Sequence, residues 1–279
     1  MIEKCDALII GGNILSIYTG ILFEKNGMNV TIIEDDLYGS LLSQGPLFFI
    51  DFDDEKRGLL NKKSREIYYS FIKKSNFGFV WPIDLYDKLK ENFHGHILNF
   101  SNKESFSLNN KSVKLMNLNK EIISEFIIVL DGILIKKFLL EKNIDLKNEI
   151  QDYGNMVLYS KGKNNFTFYE NDLIVKRDDL IYLSGTWEKS YVNTIKKMLN
   201  LGVKINSEIK SSIIKRFWKS KHDTFKDGMP RLGNLLYENL YFMAGYSRFG
   251  ISLGLELSKL LTQFVLGKPL DIDFDFIIQ

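Results

Sequence analysis

The 279-residue chain has little cysteine, little proline and almost no net charge. Its single cysteine, Cys5, cannot form a disulfide within the chain, which excludes a disulfide-stapled scaffold and is typical of a reducing compartment. The 37 basic and 35 acidic residues leave a formal charge of +2, so no strong field favours nucleic acid or an anionic membrane. We interpret the four prolines as part of a compositional bias and not as a functional feature.

The sequence also lacks a long apolar run. A membrane-spanning helix needs roughly 20 consecutive apolar residues, and no segment approaches that length. The longest apolar-rich segments, Phe126–Leu140 and Ile251–Leu266, are interrupted by charge or glycine and predict core helices. The N-terminus lacks the order of charged, apolar and small residues that marks a signal peptide. We therefore expect a cytoplasmic protein without a membrane span.

A strand-helix-strand pattern occupies the N-terminal region. The apolar run Asp6–Ile10 predicts a strand that Gly11-Gly12 interrupts. Apolar residues then recur at helical spacing from Ile14 to Lys25. A second apolar run, Val30–Ile33, is closed by Glu34. Strand, glycine turn, helix, strand and acid in this order are typical of the first half of a dinucleotide-binding domain.

The phosphate-binding fingerprint G-x-G-x-x-G is incomplete. Gly11, Asn13 and Ser16 stand at its three glycine positions, so only the first glycine is retained, with Gly12 beside it. Glu34 follows Gly11 at about the twenty-residue spacing expected of the acid that binds ribose hydroxyls. The free N–H groups at the start of the helix favour a pyrophosphate. On this segment alone, a strand-helix-strand unit that binds no nucleotide remains the alternative.

The middle of the chain predicts both helices and strands. Asp51–Phe77 is charged and predicts a helix, whereas Ile122–Leu140 predicts a strand or helix followed by a helix. Short alternating runs within Met156–Ser184 predict antiparallel strands. Tyr191–Leu201 predicts an amphipathic helix that Gly202 stops.

A second motif lies near the C-terminus. Asp227–Gly233 reads D-G-M-P-R-L-G, and Ala244–Ile251 reads A-G-Y-S-R-F-G-I before an apolar helix that ends at Gly267. Together with the opening glycine loop and the segment Asn171–Lys189, these residues resemble the D-amino acid oxidase / glycine oxidase family of FAD enzymes. The resemblance covers about the first 50 and about the last 110 residues, and it is weak in the middle.

The resemblance implies an α/β fold with two domains. One is a Rossmann-like FAD-binding domain of the glutathione-reductase type, expected at residues 1–77 and 205–279. The other is a smaller, shortened α+β substrate domain built on an antiparallel sheet, expected at residues 78–204. The implied activity is oxidation of an amine or amino acid by hydride transfer to flavin N5. Because the cofactor carries this chemistry, no catalytic side chain is expected.

The resemblance also implies the site residues. Cofactor-binding residues are expected to be Gly11, Gly12, Asn13, Ile14, Leu15, Glu34, Gly245, Arg248, Gly250 and Ile251. Substrate-facing residues are expected to be Arg248, His222 and Tyr246. No metal site is expected, because His94 and His96 have too few further ligands at suitable spacing.

The chain departs from the family pattern in three respects. Two loop glycines are replaced. The middle is short, and no strand that returns to the nucleotide-binding domain is recognisable, so we expect one wall of the FAD site to be missing or supplied otherwise. The third departure is in the family's W-x-G-x-R-P stretch, where His222 holds the arginine position and Asp223 the proline position. Because histidine cannot form arginine's two-donor contact with a carboxylate, Arg248 is the better candidate for an anion contact.

Three functions follow from these features. The leading hypothesis is an FAD-dependent oxidoreductase acting on a small amine or amino acid. The departures also fit a degenerate relative that serves as a structural or binding subunit of a hetero-oligomeric oxidoreductase, with weak or no FAD binding and a protein partner. Flavin-dependent modification of a nucleic-acid base is the weakest hypothesis, because the charge is near neutral.

Overall fold

A computed structural model of the chain describes residues 2–11, 14–34, 54–71, 82–99, 106–109, 112–115, 120–161, 165–169, 172–234, 236–246, 250–272 and 277–278. The strands are β1 (Ile2–Ile10), β2 (Val30–Glu34), β3 (His96–Asn99), β4 (Phe106–Leu108), β5 (Ser112–Leu115), β6 (Lys120–Val129), β7 (Glu149–Tyr159), β8 (Phe166–Tyr169), β9 (Leu173–Arg177), β10 (Leu180–Thr186), β11 (Ile213–Thr224), β12 (Arg231–Asn234), β13 (Leu240–Ala244) and β14 (Ile277–Ile278). The α-helices are α1 (Ile14–Glu24), α2 (Glu55–Phe71), α3 (Pro82–Lys90), α4 (Gly132–Leu140), α5 (Tyr191–Ile205) and α6 (Gly250–Val265), and a 3₁₀ helix spans Ser207–Ser211.

The predicted strand-helix-strand unit is present as β1, α1 and β2. β1 and β2 run parallel, with Ala7 opposite Val30 and Ile10 opposite Ile33. Nearly all of α1 is buried, as expected of a helix that is apolar on all sides and packs between a sheet and other helices. None of the described helices has the length and apolar character needed to cross a membrane.

β6 occupies the centre of the first sheet, whose strand order is β14-β12-β13-β6-β1-β2-β3, with β5 beside β6 and β4 beside β5. It runs parallel to β1, with Ile2 opposite Glu121 and Ile10 opposite Val129. The prediction that no strand returns to this part of the fold is therefore wrong. Ile127–Leu130 is buried on both faces, so its sequence has no polar alternation that would distinguish a strand from a helix.

The second sheet is antiparallel, with the order β11-β7-β10-β9-β8. This confirms the antiparallel strands predicted within Met156–Ser184. α5 covers one face, where Met198 packs with Leu158, Ile181 and Leu183. The opposite face contributes Val157, Leu173, Val175 and Tyr182 to the main core that also contains α1 and α6. The two sheets confirm the predicted α/β fold class.

The residue ranges of the two sheets do not coincide with the ranges expected for the two domains. β3 to β6 lie in the first sheet, although residues 78–204 were expected to form the substrate domain. β11 lies in the second sheet, although residues 205–279 were expected to belong to the FAD-binding domain. Sheet membership does not by itself define a domain, so the expected domain limits stay a prediction.

Gly202 does not stop α5, which continues through it to Ile205. A Cβ atom at Gly202 would lie 2.9 Å from Ile209 Cδ1 and 3.0 Å from Leu183 Cδ2. The glycine thus permits close packing of α5 against the second sheet and the 3₁₀ helix. Sequence reasoning took it for a helix terminus because packing and capping glycines look alike in sequence.

We expect Gly202→Ala to lower the free energy of unfolding by about 1–2 kcal/mol, because overpacking outweighs the helix propensity that alanine gains. Asn200 is exposed on the same helix, so Asn200→Ala is the matched control and should raise stability slightly. Urea unfolding followed by circular dichroism measures both. An equal gain in the two variants would contradict the packing role of Gly202.

Candidate functional site

The carboxyl ends of β1, β6 and β13 meet at one edge of the first sheet. The Gly11 N–H donates to the Ile33 carbonyl at 3.1 Å, and the Leu130 N–H donates to the Ile10 carbonyl at 2.9 Å. The Tyr246 hydroxyl donates to the Leu130 carbonyl at 2.8 Å. Ligands of open α/β sheets bind at this edge, where the loops after the strands converge.

Gly11 lies between the start of α1 and the residue that follows β6. A Cβ atom there would lie 3.0 Å from Ser16 Oγ and 3.4 Å from Leu130 Cβ, so a side chain at this position would push α1 away. Ile14 is buried, and the buried Leu15 side chain packs against Gly254 of α6. The neighbouring predicted residues Gly12 and Asn13 lie outside the described residues.

Glu34 ends β2 at the same edge of the sheet. Its side chain is fully buried, and neither carboxylate oxygen has a hydrogen-bond partner among the described residues. Burial raises the pKa of Glu34 to about 7, and the charge of Lys90 opposes that rise. A buried carboxylate without donors is costly, so this position favours a ligand that brings hydroxyl donors.

Tyr86 of α3 lies close to Glu34 and was not found by sequence reasoning. Its hydroxyl is buried and has no hydrogen-bond partner among the residues that the structure describes. Burial raises the pKa of Tyr86, and the negative charge of Glu34 raises it further. Two unsatisfied polar groups therefore lie near each other beside the end of β2. The sequence does not indicate that Tyr86 lies near Glu34, because Tyr86 fits an ordinary apolar position of an amphipathic helix.

Gly245 follows β13 with a left-handed backbone, at φ +81°. A Cβ atom at this position would overlap the Phe225 ring. Both constraints require glycine here. Gly250 begins α6, and a Cβ atom on it would lie 3.2 Å from the Tyr246 ring. Ile251 lies in the first turn of α6, and Arg248 lies outside the described residues.

Asp223 joins the second sheet to this loop. Its Oδ2 accepts hydrogen bonds from the Gly245 N–H at 2.5 Å and from Asn148 Nδ2 at 3.3 Å. The carboxylate lies directly over Gly132 in the first turn of α4, where a Cβ atom would overlap it. Burial raises the pKa of Asp223, while the two hydrogen bonds oppose the rise. The residue at the family's proline position is thus a buried connection between three segments.

His222 lies on a polar face of the second sheet. Its Nε2 is 2.8 Å from Ser220 Oγ, and Asn155 Nδ2 donates to Ser220 Oγ at 2.7 Å. The Tyr182 hydroxyl donates to Asn155 Oδ1 at 2.7 Å. The Tyr153 ring meets the His222 ring edge-on, with 5.4 Å between centroids.

The structure places two predicted substrate-facing residues at neighbouring segment ends. Thr224, at the end of β11, forms an antiparallel bridge with Tyr246, and His222 lies two residues before it. Sequence reasoning missed Asn155, Ser220 and Tyr182. Strand alternation could have indicated on which face of its own strand each residue lies. It could not have indicated that the three residues meet, because their strands are distant in sequence.

Comparison with known proteins identifies the fold. No protein-family model and no curated protein sequence matches the chain. Glycine oxidase from Geobacillus kaustophilus matches with a TM-score of 0.78 and 14% identity over 99% of this chain and 99% of that chain. This is the fold of the D-amino acid oxidase / glycine oxidase family.

Two further structures share this fold. L-proline dehydrogenase from P. horikoshii has a TM-score of 0.77 and 17% identity over 98% of this chain and 96% of that chain. L-amino acid deaminase from Proteus vulgaris, with its specific insertion sequence deleted, has a TM-score of 0.77 and 13% identity over 98% of this chain and 92% of that chain. The resemblance predicted from the two ends of the sequence is confirmed, and the shared fold includes the middle of the chain.

Glu34→Gln is expected to stabilise the ligand-free protein in a pH-dependent way. Because the folded state raises the carboxyl pKa, the cost of ionising Glu34 is nearly absent below pH 4.5 and develops fully as the pH rises through about 7. The variant should gain about 3 kcal/mol over the original protein at pH 8 and less than about 1 kcal/mol at pH 5. Urea unfolding at both pH values measures the difference.

The exposed Glu125 of β6 supplies the matched control, and Glu125→Gln should change stability by less than about 0.5 kcal/mol at either pH. A Glu34→Gln gain that is the same at pH 5 and pH 8 would contradict the buried, ionisable state of this carboxyl.

Asp223→Ala should lower the free energy of unfolding by about 3 kcal/mol, because the Gly245 N–H and the Asn148 amide would lose their buried acceptor. Asp223→Asn keeps one acceptor oxygen at the same size and should cost about 1 kcal/mol. Asp179→Ala, at an exposed position, is the control for urea unfolding. Equal effects of the Asp223 and Asp179 alanine variants would show that Asp223 does not connect these segments.

Proposed function

We propose that the protein is an FAD-dependent oxidoreductase that oxidises a small amine or amino acid. The observation that carries this proposal is the fully buried Glu34 carboxylate at the end of β2, which lacks a donor among the described residues. An acid at this position of a strand-helix-strand unit suits the ribose hydroxyls of a dinucleotide. When bound, FAD would supply the redox chemistry by taking up a hydride from the carbon that bears the amine.

The residues present fit FAD at its adenosine end. Glu34 would accept hydrogen bonds from the ribose hydroxyls, and the start of α1 would direct its free N–H groups at the pyrophosphate. Gly11 supports this geometry, because its lack of a side chain lets α1 and the end of β6 approach each other. The residues proposed to line the cofactor are Gly11, Gly12, Asn13, Ile14, Leu15, Glu34, Gly245, Arg248, Gly250 and Ile251.

The substrate would lie between the loop after β13 and the polar face of the second sheet. His222 and Tyr246 are proposed to face it, because the bridge between Thr224 and Tyr246 brings their segments together. Arg248 is proposed as the cationic contact. The names of the similar structures, glycine oxidase, L-proline dehydrogenase and L-amino acid deaminase, support an amino acid or a related amine as the substrate class.

The alternative role as a subunit of a hetero-oligomeric oxidoreductase has lost one of its supports. It rested on three features. These are the two replaced loop glycines, His222 at the family's arginine position, and the expected lack of a strand that returns to the nucleotide-binding domain. β6 is that strand, and it forms the centre of the first sheet. The two remaining features concern single positions, so we favour the enzyme.

The absorbance spectrum of the purified protein, recorded before and after addition of FAD, tests this function. We expect a flavin band that stays with the protein through gel filtration. Glu34→Gln should weaken FAD binding about ten- to hundredfold, because charge-assisted hydrogen bonds to the ribose would be lost. Isothermal titration of the ligand-free protein measures the change, and Glu125→Gln should bind as the original protein does.

The absence of a flavin band together with the absence of any spectral change on adding FAD would overturn the proposed function. Unchanged FAD affinity in Glu34→Gln would overturn the role of Glu34 alone. Mass spectrometry of the ligand released by denaturation would then identify what the site holds.

A further inference from the structure

The small net charge of the whole chain is unevenly distributed. Residues 187–221, which include α5, the 3₁₀ helix and most of β11, contain nine basic and two acidic residues. They carry a formal charge of +7, and because the whole chain carries +2, the remaining residues carry −5. A positive field on one part of a protein attracts an anionic partner even where the net charge is small.

α5 presents part of this charge to solvent. Its 15 residues include three lysines and no acidic residue. Lys196, Lys197 and Lys204 are exposed, whereas Met198 and Gly202 are buried against the second sheet. The helix thus packs its apolar side against the sheet and turns its basic side outward. A basic amphipathic helix is typical of a surface that contacts a membrane or a partner helix.

Apolar side chains are exposed in the first turn of the same helix. Val192 is 59% exposed and Tyr191 is 57% exposed. Val192 lies four residues before Lys196, so the two side chains are neighbours on the helix surface. The Tyr191 ring meets the Trp187 ring edge-on, with 4.7 Å between centroids. We call the exposed residues Tyr191, Val192, Lys196, Lys197 and Lys204 the basic face.

Lysines of β11 extend the positive charge beside Trp187. Lys219 Nζ lies 4.8 Å from the centroid of the Trp187 ring and 2.7 Å from Asp152 Oδ2. Phe217 packs with the core beneath α5, so strand alternation places Lys219 and Lys221 on the α5 side of the sheet as well. The positive charge therefore continues from the helix onto the edge strand of the second sheet.

An ion pair neutralises only one lysine of the basic face. Lys197 Nζ lies 2.8 Å from Glu188 Oε1. Within the part of the chain that the structure describes, Lys196 and Lys204 form no ion pair. Both ammonium groups are exposed, so they are available to an anionic surface.

The pairing of positive charge with exposed apolar side chains favours a bilayer over a nucleic acid. Val192 has no ring on which a base could stack, but it suits the boundary between lipid headgroups and acyl chains. The Trp187 ring already stacks on the Phe217 ring, with 6.2 Å between centroids and 29° between planes. Tyrosine, tryptophan and lysine are the side chains that suit a membrane–water interface, with an apolar body and a polar end.

We propose that the basic face is a docking surface for an anionic lipid bilayer. The lysines are attracted to the lipid phosphates, and Val192 and Tyr191 enter the headgroup region. Few lysines and a small apolar area make the docking peripheral and reversible. α5 covers one face of the second sheet, whereas Tyr182 lies on the opposite face in the main core. Docking would therefore leave that opposite face uncovered, and the proposal does not depend on the proposed function.

Sedimentation of the purified protein with lipid vesicles tests the proposal. One set of vesicles contains equal parts of phosphatidylglycerol and phosphatidylcholine, and the other contains phosphatidylcholine alone. We expect the protein to sediment with the anionic vesicles at low ionic strength and to be released as the salt concentration rises. It should remain in solution with the phosphatidylcholine vesicles.

Lys196→Gln combined with Lys204→Gln should weaken partitioning onto the anionic vesicles about ten- to thirtyfold, because each lysine near the surface contributes to the attraction. Lys62→Gln combined with Lys142→Gln removes the same charge from exposed positions outside the basic face and is the matched control. The control should weaken partitioning by less than about threefold, because salt screens distant charges.

Val192→Ser should weaken partitioning about fivefold, because an apolar side chain that enters the headgroup region is lost. Val192→Leu keeps an apolar side chain and should bind at least as tightly as the original protein. Ile2→Ser changes a residue of β1 that is 63% exposed, and it should leave partitioning unchanged. Circular dichroism should show the same thermal unfolding for Val192→Ser as for the original protein, because Val192 is largely exposed.

Equal binding to the two kinds of vesicle, or binding to neither, would overturn the proposal. A loss in the Lys196 and Lys204 variant that is no larger than the loss in its control would also overturn it. Tighter binding to a single-stranded oligonucleotide than to the anionic vesicles would assign the basic face to a nucleic acid. A dimer in analytical ultracentrifugation that Val192→Ser dissociates would assign it to a second copy of the chain, and either result would overturn docking to a bilayer.

Discussion

The parallel pairing of β1 with β6 is the contact on which the rest of the structure depends. It brings the end of β1 beside Leu130, whose N–H bonds the last residue of β1 and whose carbonyl bonds Tyr246. Ala7–Ile10 of β1 and Ile127–Val129 of β6 are buried on both faces, so their pairing removes a large apolar area from water. Because the candidate site lies where these strands end, the same burial that stabilises the sheet also fixes the positions of Gly11 and Leu130, which follow them.

A second constraint joins the two sheets. Asp131 caps α4 by accepting hydrogen bonds from the Ile133 and Leu134 N–H groups at 3.0 and 2.9 Å. Asp223 of β11 lies over the next residue of that helix and bonds the Gly245 N–H. The carboxylate of Asp131, which follows β6, and that of Asp223 on β11 thus meet the same helix terminus, whose partial positive charge favours both. The end of β6, the end of β11 and the residue after β13 are therefore held in one arrangement.

Much of the fold could be predicted from the sequence, and the unpredicted parts have physical causes. The glycine turn, the helical spacing and Glu34 are local signals, so the strand-helix-strand unit was predictable. β6 was not, because a strand buried on both faces carries no alternation. Gly202 was misread because a packing glycine and a capping glycine are the same residue. The hydrogen bonds that link Tyr182, Asn155, Ser220 and His222 could not be predicted, because strands distant in sequence bring these residues together.

The burial of Glu34 would couple ligand binding to the release of a proton. With a pKa of about 7, this carboxyl is only partly ionised in the ligand-free protein near neutral pH. A ligand whose hydroxyl groups donate to the carboxylate favours its ionised form. Binding would then release a fraction of a proton to the solution, and the observed binding enthalpy would vary with the ionisation enthalpy of the buffer. The buried Glu34 carboxyl lowers the stability of the ligand-free protein at alkaline pH. The same carboxyl would make ligand binding tighter at alkaline pH.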